Sequence, residues 1–576
     1  MDELFDFEMI SDQTDDSENV DFFPDKYRIG RTKYIVITGG VMSGVGKGVF
    51  SASLSNLLIH HGFSVSQIKM DGYLNYDAGT LNPYRHGEVF VLDDGTECDM
   101  DLGTYERFLG KDLSKDNYLT SGKLYTHVLE KERKGEYLGR DVLVIPHVTG
   151  EIKNFFRELA TSKPYDLVLI EIGGTVGDIE NLHFIEAARE LYMAEGRENV
   201  MFAHVTMLPF NKASGEQKSK PTQHSVKKLL EAGVQPDIIV GRSPVGVAPK
   251  VRQKISLFCN VPEENVISSP DLSSIYVLPQ ILARQNLAKI ITKRLNLSLP
   301  VPANDDVDPP LAPYLDHYGK KDLPKVTIAI TGKYATLKDS YISIVNALEH
   351  AEVALGCRVE TRWVETTEIS DESEVESLFD GEVSGVIVPG GFGSRGVEGK
   401  ILTIKHAREN KIPFLGICYG FHFAVVEVAR HLCGLEKAHT TEVNRRTPHP
   451  IIRLLPEQRK KSRLGGTMRL GGHTVKLEPD SLIGGLYGNV SEARERFRHR
   501  FEFNNEYRKQ VEEAGIRFVG TTPDGEIMQI LELEGHPYFV ASQFHPEYTS
   551  RPMNPNPLFY GLIEAALKYQ RQSTGE

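Results

Sequence analysis

The sequence predicts an α/β protein built from two doubly wound domains. Three observations carry that prediction. Apolar strand-like runs alternate with helical patterns twice along the chain, a Pro- and Asp-rich stretch separates the two series, and 576 residues exceed what one hydrophobic core holds. In the first series the strand candidates are KYIVITGG, FSVSQIKM, DVLVIPHV, DLVLIEIGG, MFAHVTMLP and PDIIVGRS. Helical stretches such as FSASLSNLLIHHG lie between several of them, which predicts a mostly parallel sheet covered on both faces. PVPANDDVDPPLAPYLDHYGKKDLP, residues 300–324, reads as a linker. The second series runs KVTIAITGKY, CRVETRWVE, SGVIVPGG, IPFLGI and YFVASQF, with SYISIVNALEHAEVALG as a helix. The expected boundaries are an acidic tail 1–28, a first domain 29–299, the linker 300–324, a second domain 325–568 and a short tail 569–576.

Composition narrows the function classes. Hydrophobic residues make up 40% and charged residues 25%, an ordinary balance for a globular enzyme. No apolar run approaches the roughly 20 residues that cross a bilayer. The N-terminus, MDELFDFEMISDQTDDSENVD, has neither the basic start nor the apolar core of a secretory signal, so it reads as a solvated, disordered tail. A cytoplasmic location without a membrane partner is expected. Cys98, Cys259, Cys357, Cys418 and Cys433 are odd in number and widely spaced, which fits a reducing compartment and no disulfide framework. No pair has zinc-ligand spacing. The net charge of −13 argues against a nucleic-acid partner.

TGGVMSGVGKG, Thr38–Gly48, falls between a strand and a helix, where a phosphate-cradling loop belongs. Glycines let backbone N–H groups point inward, the helix N-terminus adds partial positive charge, and Lys47 reaches phosphate oxygens. The loop departs from the usual phosphate motif: five residues separate Gly40 from Gly46, and Gly48 stands where Ser or Thr is usual. The alternative reading is a glycine-rich turn that only lets strand and helix pack. Carboxylates for Mg²⁺ are placed nearby in the text: Glu171 at the tip of DLVLIEI, with Asp99 and Asp101 in CDMDLGTYERF. KSKPTQHSVKKLLEAG offers a second anion site. Lys218 and Lys220 precede a helix opened by Pro221, while Thr222 and Gln223 supply hydrogen bonds to a base or sugar; its plainer reading is a basic surface cap.

In FLGICYGFHFAVV a cysteine stands between two glycines where an apolar strand turns into a helix. That is the form of a nucleophile elbow, whose sharp turn exposes the side chain at a helix N-terminus that favours thiolate. QFHPEY supplies His545 as base and Glu547 to orient it, and PGGFGSRG supplies a glycine turn for an oxyanion. Singly, a cysteine is usually filler and a His-x-Glu usually surface. Together these elements predict nucleophilic acyl transfer.

These residues carry a resemblance. GGVMSGVGKG, KMDGYLNYDAGTLNPYRHGEVFVLDDG, DMDLGTYERF, EIGGTVGDIE, KPTQHSVKKLL and LFCNVP resemble the synthetase (ATP/UTP amidoligase) domain of the CTP synthase family. The second block resembles a class I glutamine amidotransferase domain, and the likeness covers about residues 33–568. It implies ATP-dependent amination of UTP at C4, with ammonia from glutamine passed between domains. Position by position it implies a triad of Cys418, His545 and Glu547. Gly44, Val45, Gly46, Lys47, Gly48, Lys69, Asp101 and Asp271 would hold ATP and its phosphates, and Asp101 and Glu171 the Mg²⁺. Ser43, Lys218, Ser219, Lys220, Pro221, Thr222, Gln223 and Lys254 would contact UTP. Asp178, Ile179 and Glu180 would bind CTP as a feedback inhibitor. Gly391, Tyr419, Gly420, His422, Glu442 and Arg500 would hold glutamine. The resemblance further implies activation by GTP, a homotetramer and filaments of tetramers.

One departure stands out: the family's elbow ends G-x-C-x-G-x-Q, whereas GICYGFH ends in His422. Histidine lacks an amide's paired donor and acceptor, so the expectation is a raised KM for glutamine, lowered again in His422→Gln. Tyr419 stands where leucine is commoner. Two other readings compete: an amidoligase acting on a carboxylate, and a non-catalytic nucleotide-binding scaffold.

Overall fold

The computed structural model describes residues 23–40, 42–301, 311–333, 338–379, 381–454 and 468–574. Most of the expected acidic tail (1–22) and the centre of the expected linker (302–310) lie outside the described residues.

The first half is a seven-stranded sheet, parallel throughout, in the order Val266–Pro270, Ile238–Ser243, Val200–Met207, Lys33–Gly39, Leu167–Ile172, Val65–Asp71, Tyr118–Thr120. Helices bury both faces, so LVLIEI reads as a nearly continuous apolar run, and in VSQIKMD even the polar Ser66, Gln67, Lys69 and Asp71 are buried. Crossovers leave Lys33–Gly39 beside Leu167–Ile172 and Val200–Met207, and the crevice at these C-terminal tips receives the glycine loop.

The second half holds a nine-stranded sheet. Five parallel strands, Arg358–Glu365, Lys325–Gly332, Val383–Val388, Phe414–Ile417 and Phe539–Ser542, continue into four antiparallel ones, Met528–Leu533, Ile516–Thr521, Arg469–Leu477 and Glu492–His499. The two halves meet along a polar seam. Arg496 donates to Glu106 at 2.7 Å, Arg107 to Ser343 at 2.6 Å, Arg498 to Glu97 at 2.8 Å, and the Tyr548 hydroxyl to the Val89 carbonyl at 3.0 Å.

Four expectations need correction. DVLVIPHV is not a strand: Val144–Val148 forms a single helical turn, Leu143 to Ile145 are exposed, and Pro146 has no N–H for a ladder. The short strand Tyr118–Thr120 takes the sheet edge instead. Residues 23–28 are not all solvated tail. Phe23 lies 4.1 Å from the Arg157 guanidinium, which pairs with Glu195 in full burial, and the Tyr27 and Tyr34 hydroxyls share a hydrogen bond of 2.9 Å. Within the expected linker, Ala312–Gly319 is a helix whose Tyr314 is buried and donates to the Pro552 carbonyl at 3.0 Å. The last helix, Pro557–Thr574, runs past the expected end at 568.

Candidate active site

Two sites emerge, one in each half. In the first, Gly46 adopts φ 93°, a left-handed conformation that a side chain rarely takes, and the helix Lys47–His60 starts directly after it. A Cβ at Gly48 would sit 2.2 Å from Asp101 Oδ1, so the serine or threonine usual at this point would require the Asp101 carboxylate to move. Lys47 Nζ donates to the Gly174 carbonyl at 2.6 Å, which folds the EIGGTVGDIE loop against the glycine loop.

Lys69, at the neighbouring strand tip, bonds Asp101, reaches Glu171 at 3.1 Å and stands 3.8 Å from Asp71. Burial works against its charge, but Asp101, Glu171 and Asp71 hold the ammonium well above the usual lysine range. Burial pulls Lys47 down and pushes Glu171 up, although Lys69 opposes the latter shift. The Tyr105 hydroxyl caps the other Glu171 oxygen. Asp99 accepts from the Asp101 N–H through Oδ1 as the cap of helix Met100–Leu109. Among the described residues no cluster of three or more acids, histidines or cysteines is placed to hold a metal. The hard oxygens of Asp101 and Glu171 nevertheless suit Mg²⁺, which takes one or two carboxylates and completes its shell with water and phosphate.

Arg242, at the tip of Ile238–Ser243, was not singled out by sequence reading. It lies within 3.8 Å of where a Gly46 Cβ would stand and bonds Asp271 at 2.9 Å, which sets Asp271 beside the loop through an arginine. A basic residue at a strand's C-terminal tip was the available signal.

The KSKPTQ segment is divided. Lys218 is exposed on Glu216 at 2.5 Å, and Lys220 lies 5.7 Å from the Phe258 ring. Hydrogen bonding and charge from Lys218, and more weakly charge from Lys254, hold the Glu216 carboxyl down. Ser219, Thr222 and Gln223 are buried, and Gln223 donates to the Ser219 hydroxyl at 3.0 Å. Ser43, Ile179 and Glu180 are exposed, and Asp178 accepts from the Thr175 N–H at 2.7 Å.

The second site explains the glycines around Cys418. Cys418 adopts φ 51°, ψ −93°, a strained turn between strand Phe414–Ile417 and helix Tyr419–His431. A Cβ on Gly420 would stand 2.1 Å from the Val388 carbonyl, and one on Gly416 would stand 2.9 Å from Gly420. Gly420 is therefore a packing residue, not a wall of the cavity. His545 Nδ1 bonds Glu547 at 2.7 Å, its ring stacks on Tyr548 at 4.8 Å, and its other nitrogen, Nε2, is left for the Cys418 sulphur. Burial pulls His545 down, but the charges of Glu547 and Cys418 outweigh it and hold the imidazole up at about 10.

A cavity of about 650 Å³ opens in front of Cys418, lined by Gly391, Tyr419, His422, Glu442 and Arg500 among others. Glu442 accepts from the Gly393 N–H at 2.8 Å, and Tyr419 bonds the Gly393 carbonyl. Lys400 is buried against the Tyr419 ring at 4.9 Å, where burial and then Lys333 pull it down to about 7. A second cavity of about 80 Å³ also reaches Cys418 and is lined from both halves, by Leu81, Pro83, Glu88 and Val89 and by Ser340 and Tyr341. Burial pushes Glu88 up to about 7. Gln543 opens the QFHPEY stretch two residues before His545, whereas Lys333, Lys400 and Glu88 carried no spacing signal in the sequence. Their proximity is created by the fold alone.

The glycine loop with its buried lysines can hold a polyphosphate, and the cysteine site can carry acyl transfer from an amide. Comparison with known proteins yields the same pair of parts. The profile described as CTP synthase N-terminus matches residues 33–297, and that of class I glutamine amidotransferases matches residues 336–565. The chain is 54% identical over 538 residues to the CTP synthase of Thermococcus gammatolerans, covering 93% of this chain and 98% of that one. It is 53% identical over 542 residues to that of Pyrococcus furiosus, covering 94% and 99%. A solved glutaminase domain of Trypanosoma brucei CTPS is 32% identical, covering 42% of this chain and 94% of that chain, with a TM-score of 0.40.

Proposed function

This chain belongs to the CTP synthase family, and we propose that its two sites divide one reaction between them. The enzyme is a glutamine-hydrolysing ligase that converts UTP to CTP at the expense of ATP. In our reading residues 29–299 form the synthetase part and 325–574 the glutaminase part, joined by the segment between them.

In the synthetase part Gly44, Val45, Gly46, Lys47, Gly48 and Lys69 bind the ATP phosphates, with Asp271 beside them through Arg242. Asp101 and Glu171 would hold Mg²⁺, which spreads the charge of the transferred phosphoryl group. Phosphorylation of the uracil O4 makes it a leaving group that ammonia displaces. Ser43, Lys218–Gln223 and Lys254 take UTP, while Asp178, Ile179 and Glu180 take CTP. Because Thr222 and Gln223 are buried, the exposed lysines meet the nucleotide first.

In the glutaminase part Cys418 attacks the side-chain amide carbon, His545 takes the thiol proton and returns it to the leaving nitrogen, and water then hydrolyses the thioester. Gly391, Tyr419, His422, Glu442 and Arg500 form the glutamine pocket. Neutral ammonia is easily lost to solvent or protonated, and the small cavity lined from both halves supports its passage between them. GTP activation, a homotetramer, filaments and a cytoplasmic location complete the proposal. No helix among the described residues is long and apolar enough to cross a membrane.

The single observation that carries this reading is Cys418, strained at an elbow beside the His545–Glu547 pair at 2.7 Å. Its test is Glu547→Gln, followed by the near-ultraviolet change as UTP becomes CTP. Glutamine-driven CTP formation should fall roughly 10³–10⁴-fold, with ammonium-driven formation kept. The substitution also removes the main charge that holds His545 up at about 10. A folded-state value above the ordinary 6.5 stabilises the fold fully below about pH 6.5 and loses that contribution as pH rises through 10. Glu547→Gln should therefore lower the melting temperature most at neutral and acid pH. Undiminished glutamine use would overturn the triad, and amination of a carboxylate in place of UTP would favour the competing amidoligase.

A further inference from the structure

We propose that Gln543 is a further catalytic residue of the glutaminase site: its side-chain amide, held in one orientation by His422, donates a hydrogen bond to the Cys418 sulphur as thiolate. The proposal rests on the reading that Cys418 is the nucleophile.

The orientation follows from donors and acceptors alone. His422 Nε2 lies 3.1 Å from the Phe501 carbonyl oxygen and 2.9 Å from the Gln543 side chain. A carbonyl only accepts, so Nε2 carries the ring proton. An N–H faces an acceptor, so the Gln543 atom beside it is the amide oxygen. The NH₂ group is thereby turned toward Cys418, 3.7 Å from Sγ. With its proton on Nε2, His422 leaves Nδ1 bare, and Nδ1 is indeed buried without a partner. Burial, against the hydrogen bonds to Gln543 and Phe501, pushes this imidazole down to about 4, so it stays neutral in the working range and keeps its one proton committed.

The backbone holds both partners in register. The Cys418 N–H bonds the Ser542 carbonyl at 2.7 Å, and the Gln543 N–H bonds the Gln529 carbonyl at 2.8 Å. Gln543 is fully buried at the end of the strand Phe539–Ser542, which pairs with the strand leading to the cysteine.

A donor besides His545 matters because another close partner of the sulphur opposes the charge. As a thiol, Cys418 donates to the Arg498 carbonyl at 3.6 Å. When the S–H bond breaks and the proton moves to His545 Nε2, the imidazolium faces the anion on one side, but the carbonyl dipole still opposes it on another, and a second donor offsets that opposition. The Gln543 amide supplies one at each stage where sulphur bears charge: before attack, and again when the thioester C–S bond breaks and Sγ leaves with the electron pair. His422 acts through Gln543 and is a positioning residue. A glutamine at 422 also offers an N–H to the Phe501 carbonyl and to Gln543, so His422→Gln preserves the arrangement, whereas His422→Leu releases it.

The test uses the full chain with Gln543→Leu, His422→Leu and His422→Gln. Iodoacetamide alkylation of the Cys418 peptide is followed by mass spectrometry across pH. The other titratable and charged groups around the sulphur, His545, Glu547, Lys400, Tyr419, Tyr548 and Arg498, with Glu88, Glu442, His499 and Arg500 in the adjoining cavities, stay in place in all three variants. The alkylation midpoint should rise by about one pH unit in both leucine variants and stay at the parent value in His422→Gln. Glutamine-driven kcat should fall roughly 10²-fold in the leucine variants, more than KM changes. Ammonium-driven amination, which runs at the other site, reports that each variant is folded. A parental midpoint in a folded leucine variant overturns the proposal, as does a His422→Gln midpoint that moves with the leucine variants. If Gln543→Leu does not fold, the His422 pair decides alone. Failure of the underlying reading is separately visible, as glutamine hydrolysis that survives Cys418→Ala.

Discussion

Cys418→Ala is expected to abolish CTP formation from glutamine and to leave formation from ammonium intact. Glutamine hydrolysis should drop on the order of 10⁶-fold, to the level that binding and the oxyanion donors sustain without a nucleophile. The effect is large because no other group replaces the sulphur. Among the described residues the other four cysteines are packed elsewhere, and His545 and Glu547 serve only to move and stabilise a proton. The fold should tolerate the change. The Cys418 side chain makes weak sulphur contacts at 3.6 and 3.7 Å, and alanine keeps the same Cβ that the backbone already accommodates at φ 51°. Steady-state CTP formation with each nitrogen donor checks it. Unchanged glutamine use would remove the second site from the mechanism.

Lys47→Ala is expected to stop CTP formation whichever nitrogen donor is supplied, by about 10³-fold or more. Lys47 sits in the first turn of its helix, where the helix N-terminus and its ammonium act on the same anion. Burial pulls this amine down while Glu171 and Asp101 hold it up, so the site is poised for a polyphosphate to supply the counter-charge. Arginine is not a remedy. A Cβ at Gly39 would already stand 2.6 Å from Lys47 Cδ, and a planar guanidinium is bulkier than an ammonium. Glutamine hydrolysis measured alone should survive in Lys47→Ala, the mirror image of the cysteine variant. Ammonium-driven synthesis that persists at the parental rate would sink the phosphate assignment.

Much of both sites was legible because local geometry demands particular residues. A loop that folds backbone N–H groups around phosphate needs glycines, as Gly46 at φ 93° shows, and a nucleophile elbow needs small neighbours, as the 2.1 Å approach of Gly420 to Val388 shows. Gly420 entered the glutamine set through the resemblance, and the space that a side chain would need at this point is taken up by Val388. DVLVIPHV failed as a strand because an apolar run bounded by turns says nothing of which edge it occupies. His422 lines the cavity in front of Cys418, and its Nε2 is committed to Phe501 and Gln543, 79 and 121 residues away in the chain, which no local pattern signals.

The sequence by itself determined the two α/β series, the glycine loop with Lys47, the acids at strand tips and the Cys–His–Glu set, because each depends on neighbours a few residues apart or on a strand's end. Only the tertiary structure decided which charges share a site: Lys69 among Asp71, Asp101 and Glu171, Arg242 beside Gly46, Lys400 under Tyr419, and the amide of Gln543 turned to sulphur. Electrostatic and hydrogen-bond energies fall off over a few ångströms, and strand pairing sets those distances between residues far apart in the chain.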